Sequence, residues 1–281
     1  MAFLACRPGA LILDCTLAEG GHALEILKRI TPGGKLIGLD RDPEVLAVAR
    51  ARLEEYQNNV VIRRLSFSEI ASWTEEEGLA GIDGALFDLG LSSFQLDDPR
   101  RGFSFRFDGP LDMRMDLEQG LTAAELVNRL PVSELEEIFF QYGQERWSKR
   151  ISRAIVRARS RTAIRTTGEL ARIVAAAVPG RGRIHPATRV FQALRIAVNR
   201  ELEELEEGLS AAFSLLRPGG RLCAISFHSL EDGIVKRFFR RREREDKAGR
   251  VLTPKPLTPS REEQRINPRS RSAKLRAIEH N

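Results

Sequence analysis

Cysteine is scarce in this chain of 281 residues: Cys6, Cys15 and Cys223 stand far apart, and no Cys-x-x-Cys pair occurs. That excludes a disulfide scaffold and a cysteine-built zinc site, and it points to a reducing compartment, read here as the cytoplasm. The 4 histidines show no His-Glu-x-x-His spacing, so no metal is expected. No apolar run approaches the roughly 18 residues that a membrane span needs, so no membrane partner is expected either. The start, MAFLACRPGALIL, is apolar but has no basic leader region. It runs straight into a strand signal and reads as part of the fold rather than as a secretion signal. The dinucleotide fingerprint G-x-G-x-x-G is missing, which argues against a nicotinamide-dependent oxidoreductase. No internal repeat is visible.

What is present is an ordinary globular composition, 42% hydrophobic and 30% charged. A chain of this length buries roughly three quarters of its unfolded surface and needs no cross-link to fold. The net charge is +6, and arginine far outnumbers lysine. A basic surface fits a polyanionic partner, most often nucleic acid; a basic protein without such a partner is the alternative.

Periodicity divides the chain. LILDC predicts a strand, followed by a glycine turn and a helix from about 21 to 29. KLIGLD predicts a second strand, and a helix over 43–55 opens on Pro43. Strands at 60–64 and 82–89 follow. Such alternation predicts a parallel sheet covered on both faces. Residues 97–120 read as a charged loop, and helices without a strand fill about 121–200. Strand signals return at 221–227 and 274–278. A helix is predicted over 229–244, with Ser229 and Asp232 at capping-box spacing. TPKPLTP, 253–259, reads as an extended connection. The expected organisation is an α/β domain made of 1–96 and 200–281, interrupted by a helical insertion at 97–199.

Two strand ends carry chemistry. The turn after the first strand reads DCTLAEGGH, residues 14–22, and brings backbone N–H groups to a helix N-terminus. Asp40 closes the second strand, where an acid can accept hydrogen bonds from ribose hydroxyls. Gly20-Gly21 as a plain tight turn and Asp40 as a plain strand end remain the alternatives. The fourth strand, IDGALF, stops at Asp88 and continues LGLSSFQ. Strand ends of this kind are where α/β proteins bind ligands.

Glycine turn, acid after strand two and acid after strand four together resemble a class I S-adenosylmethionine-dependent methyltransferase, an α/β Rossmann-like sheet. Five longer blocks sharpen the resemblance: DLGLSSFQLDDPRRGFSF, DGPLDMRMD, HPATRVFQALRIAVNRELEELE, GGRLCAISFHSLED and NPRSRSAKLR. They run in order along almost the whole chain. They resemble the small-subunit ribosomal RNA methyltransferase H family, also called MraW.

The resemblance implies S-adenosylmethionine as cofactor, methylation of the exocyclic N4 of a cytosine in the decoding region, and 16S rRNA or the small ribosomal subunit as partner. It implies cofactor contacts at Gly20, Gly21, His22, Asp40, Phe67, Asp88 and Gln95. Departures are Ala18, where the family's turn has glycine, and Phe94, where it has proline. The family's H-x-P-V-L-L-like segment ahead of the first strand has no counterpart. A catalytically weak RNA-binding or ribosome-assembly factor on the same fold is the rival reading. The oligomeric state stays open, a homodimer included.

A cytosine amine is a poor nucleophile, so acceptors at its protons would assist attack; Asp88, the Leu89 carbonyl and Ser92 are the candidates. Asp88 as a cofactor contact only is the competing role. His228 and His185, each beside a helix start, read as structural. For RNA, residues 146–165 hold eight Lys/Arg and no acid. Arg146, Arg150, Arg153, Arg157 and Arg161 share one helical face, with Trp147, Ile151, Ile155 and Ala158 beside it. A solvated face is the alternative, although unrelieved like charge is costly. Thr188, Gln192, Arg195 and Asn199 form a second polar stripe. It reads either as a contact to RNA base or sugar or a cleft lining, with Arg195 as its cation, or as a satisfied interdomain seam.

Overall fold

The computed structural model describes residues 1–118, 120–180 and 184–281. The chain divides into two compact units, one of Met1–Gly90 with Leu202–Asn281 and the other of Leu91–Glu201.

The first unit is built on seven strands: β1 (Leu11–Asp14), β2 (Lys35–Asp40), β3 (Val60–Arg64), β4 (Ile82–Asp88), β5 (Leu216–Ser226), β6 (Gly249–Val251) and β7 (Lys274–His280). Their order is β3-β2-β1-β4-β5-β7-β6. Strands β1 to β5 pair in parallel, while β7 runs antiparallel to both β5 and β6. This is the α/β Rossmann-like sheet that the resemblance implies.

Neighbouring apolar residues go to opposite faces of this sheet, as the two-residue strand period requires. Ile12, Leu36 and Leu86 pack on one side with Ala23, Ile26 and Leu27 of α1 (Gly21–Ile30) and Ala49 of α2 (Pro43–Arg52). Leu13, Ile37 and Phe87 pack on the other with Ile70 of α3 (Ile70–Glu76), Leu205, Leu209 and Phe213 of α10 (Glu201–Ser214) and Val235 and Phe239 of α11 (Ser229–Arg244). A sheet covered on both faces explains why its strands are nearly continuous apolar runs. The helix starts are set locally. Asp42 accepts from the backbone N–H groups of Glu44 and Val45, and Pro43 fills the first turn of α2. Gly208 lets α10 pass close to Phe67, because a Cβ there would lie 2.7 Å from the Phe67 Cβ.

Two expectations are corrected. Helix α11 starts where predicted, but His228 caps it rather than Ser229, and its capping box runs to Glu231. The Glu231 carboxylate accepts from the Phe227 and His228 N–H groups at 2.8 and 3.2 Å. Asp232 instead takes the Arg276 guanidinium at 2.7 Å. Strand β5 begins at Leu216, ahead of the predicted 221.

The second unit contains α4 (Ser93–Asp97), α5 (Ala123–Arg129), α6 (Val132–Gln141), α7 (Ser148–Arg159), α8 (Thr167–Ala177) and α9 (Ala187–Asn199), with no strand among its described residues. Its core includes Leu111, Met113, Val127, Phe139, Ile151, Ile155, Leu170, Val190 and Leu194. The irregular stretch before α5 is held by side chains that satisfy its backbone. Buried Arg101 donates to the Arg114 and Met115 carbonyls, both at 3.0 Å. Asn199 accepts from Met115 N–H and donates to the Met113 carbonyl, each at 2.8 Å. Among the described residues, no helix is long and apolar enough to cross a membrane.

Candidate functional site

Three adjacent parallel strands, β2, β1 and β4, end on acids: Asp40, Asp14 and Asp88. Sequence reasoning named two of them. Asp14 is wholly buried; its Oδ1 accepts from the Thr16 N–H at 3.1 Å, while its Oδ2 has no partner. Burial pushes its carboxyl up to about 7, against the pull of His22 and the Thr16 N–H, and Asp88 and Asp40 add to the rise. Asp40 accepts from Ala18 N–H and Asp42 N–H, both at 3.0 Å. Burial still raises it to about 6.

Asp88 completes the cluster. Its Oδ2 lies 3.1 Å from His22 Nε2, and its N–H donates to Thr16 Oγ1 at 2.6 Å. Its Oδ1 is buried and lacks a partner. The hydrogen bond to Asp88 holds the His22 imidazole above its ordinary value, against burial. Thr16 thus joins β1 to β4, and it too was missed. The available signal was an acid closing an apolar run, LILD, followed two residues on by a hydroxyl.

The turn between Asp14 and α1 is held in unusual backbone. Gly20 sits at φ 79° and Ala18 at φ 47°. A β-carbon is disfavoured in that left-handed region, yet it directs the Ala18 N–H at Asp40. Gly21 and His22 then open α1. Phe67, in the turn after β3, meets Phe87 edge-on at 5.3 Å, with the Arg41 guanidinium 5.9 Å from its ring. Gly20, Gly21, His22, Asp40 and Asp88 therefore gather at the carboxyl edge of the sheet, with Asp14 added and Phe67 beyond β3.

Three clustered carboxylates, two of them with an unpartnered buried oxygen, suit a ligand that brings positive charge and hydrogen-bond donors. A nucleoside cofactor with cationic groups fits that donor set.

Ser92 and Gln95 belong to the second unit and bond each other across the start of α4. Ser92 Oγ accepts from Gln95 N–H at 3.2 Å, and Gln95 Oε1 accepts from Ser92 N–H at 3.1 Å. Gln95 is buried.

Helix α7 carries the basic face. Ile151 and Ile155 turn into the core, while Arg146, Lys149, Arg150, Arg153, Arg157 and Trp147 line a groove of about 410 Å³. Arg195 stands apart from them. Its guanidinium holds the Glu201 carboxylate through two bonds of 2.8 Å, with 14% of its side chain exposed. On the same helix Gln192 donates to the Tyr142 carbonyl at 3.3 Å, and Asn199 is buried. The second stripe is thus largely committed to internal bonds. His185 Nδ1 accepts from Ala187 N–H at 3.2 Å, and its ring lies 4.7 Å from that of Phe105, tilted by 36°.

Comparison with known proteins spans the whole chain. Residues 1–281 match the MraW methylase family. A protein of Pelobacter propionicus called "Ribosomal RNA small subunit methyltransferase H" is 52% identical, over 99% of this chain and 95% of its own length. A protein of the same name from Trichlorobacter lovleyi is 49% identical over the same shares. Among solved structures, an rRNA methylase from Streptococcus thermophilus is similar over 99% of this chain and 92% of that one, at a TM-score of 0.46 and 10% identity, a distance at which it carries no further argument. With every residue matched and near-half identity to such relatives, the chain belongs to the MraW methylase family.

Proposed function

We propose that this chain transfers a methyl group from S-adenosylmethionine to the exocyclic N4 of a cytosine in the decoding region of 16S rRNA, acting in the cytoplasm. The observation that carries the reading is the relation over nearly the whole chain to proteins named for the small-subunit ribosomal RNA. The acids at the ends of β1, β2 and β4 support it, because they form a receptor for a cationic nucleoside.

When bound, S-adenosylmethionine supplies an activated methyl on a sulfonium. Asp40 accepts hydrogen bonds from the ribose hydroxyls. Gly20, Gly21 and His22 offer the turn and the start of α1, and Phe67 gives an apolar edge to the base. Gln95 is a further cofactor contact. The unpartnered oxygens of Asp14 and Asp88 balance positive charge. Asp88 and Ser92 accept hydrogen bonds from the cytosine amine, which returns electron density to the attacking nitrogen. Holding the amine in line with the methyl supplies roughly 7–11 kcal/mol of the barrier, the range that positioning gives.

Residues 97–199 serve RNA recognition, with Arg146, Arg150, Arg153 and Arg157 on phosphates. Arg195, whose guanidinium is held by Glu201, is the further cation assigned to RNA, on the polar stripe of α9 rather than on the α7 face. Arg150→Ala with Arg153→Ala is expected to weaken RNA binding and reduce the slope of log affinity against log salt by about 1 for each phosphate no longer gripped. The reaction is tested by incubating the protein and methyl-labelled cofactor with small subunits from a strain lacking the modification, then hydrolysing the rRNA to nucleosides. N4-methylcytidine is the expected product. A folded, RNA-binding protein that yields no labelled nucleoside would favour the assembly-factor reading.

A further inference from the structure

We infer that Arg146 and Trp147 form a stacking platform for one unpaired base of an RNA segment whose phosphates lie on Arg150, Arg153 and Arg157. This rests on the proposal that the α7 face meets RNA. The groove there is lined by five cations and one aromatic, with no acid. Cations stepped along one helix face repel one another, and a polyanion relieves that cost. Phosphate alone would need no aromatic. Yet Trp147 lines this groove and also a neighbouring cavity of about 680 Å³, walled in part by Pro179, His185, Pro186 and Arg189.

The platform is already assembled. The Arg146 guanidinium lies over the indole, 5.2 Å from its centre. Its mount is fixed: buried Glu145 accepts from the Trp147 N–H at 2.8 Å, and the Glu145 N–H donates to the Phe139 carbonyl at 3.1 Å. The Trp147 side chain keeps a buried indole N–H without a partner, so polar bonding does not account for its place. The chain's other tryptophan, Trp73, packs against the sheet core. Guanidinium planes and indole rings both stack on nucleobases, and a base laid on them beside a cationic track is how single strands are held without pairing.

The test compares a short unstructured oligoribonucleotide with an abasic oligomer carrying the same phosphates. Trp147→Leu removes the ring, Arg146→Lys keeps the charge but removes the plane, and Trp147→Tyr keeps a ring. Trp147→Leu and Arg146→Lys are each expected to weaken binding of the base-bearing oligomer roughly 5- to 150-fold, the range for loss of one base stack. Affinity for the abasic oligomer and the salt slope should stay as in wild type, and Trp147→Tyr should retain most of the binding. In Trp73→Phe protein, indole emission should respond to the base-bearing oligomer and not to the abasic one, which reads the stacking without disturbing Trp147. If both platform variants bind the base-bearing oligomer as wild type does while Arg150→Ala and Arg153→Ala weaken it, the stacking inference is wrong and the phosphate grip stands. If the Arg150 and Arg153 variants also change neither affinity nor slope, the RNA reading of this face fails and takes the platform with it.

Discussion

Ala18 holds φ 47°, a left-handed conformation that favours glycine. The β-carbon costs about 1–2 kcal/mol in that region, and glycine's extra freedom in the unfolded chain offsets roughly 0.5–1 kcal/mol of the gain from removing it. Ala18→Gly is therefore expected to stabilise the protein by up to about 1.5 kcal/mol in urea unfolding; clear destabilisation would show that the methyl group is packed to advantage. Asp14 gives a pH prediction. Its carboxyl titrates at about 7 in the fold, up from 3.8. Ionising it costs the folded state more than the unfolded one, so its contribution to stability is fullest below about 4 and is lost as pH rises towards 7. Relative to wild type, Asp14→Asn should flatten that decline in cofactor-free protein. A cationic ligand needs the ionised form, so wild-type affinity for S-adenosylmethionine should climb through the same window and Asp14→Asn should climb less. Parallel pH profiles for the two proteins in both measurements would remove Asp14 from the site.

Among the elements, those whose pattern is local were legible. β1, β2 and β4 announce themselves as apolar runs stopped by an acid, and α7 by isoleucines four apart beside stepped arginines. Elements that depend on a partner were not. β6 has three residues and exists by pairing with β7. The cap of α11 was misread by one position because His228–Glu231 and Ser229–Asp232 share a spacing; the bonds of Glu231 to the Phe227 and His228 N–H groups, and of Asp232 to Lys274 and Arg276, decide between them. Thermal or urea unfolding distinguishes the two: His228→Ala should cost about 1 kcal/mol, as loss of a helix cap does, and Ser229→Ala clearly less. Equal costs, or a larger one at Ser229, would contradict the cap. Arg195 was grouped with RNA contacts because its stripe is polar. Its bond to Glu201 joins α9 to the start of α10, which no helical wheel of α9 can display.

For the molecule as a whole, the acid cluster is a product of strand order. Asp14, Asp40 and Asp88 are far apart in sequence and meet because β1 sits between β2 and β4. That is why Asp40 and Asp88 could be named from their motifs while Asp14 and Thr16 could not: Thr16 matters through Asp88, and Asp14 through the charges crowded beside it. The most telling measurement is the equilibrium affinity for S-adenosylmethionine at pH 8 of wild type, Asp40→Ala and the control Glu25→Gln, a half-exposed carboxylate that pairs with Lys28 and Arg29. Wild type should bind, Asp40→Ala should bind at least about tenfold more weakly, which is about 1.4 kcal/mol, and the control should match wild type. Equal affinity in all three proteins, or no binding by folded wild type, would contradict the cofactor role of the acid cluster.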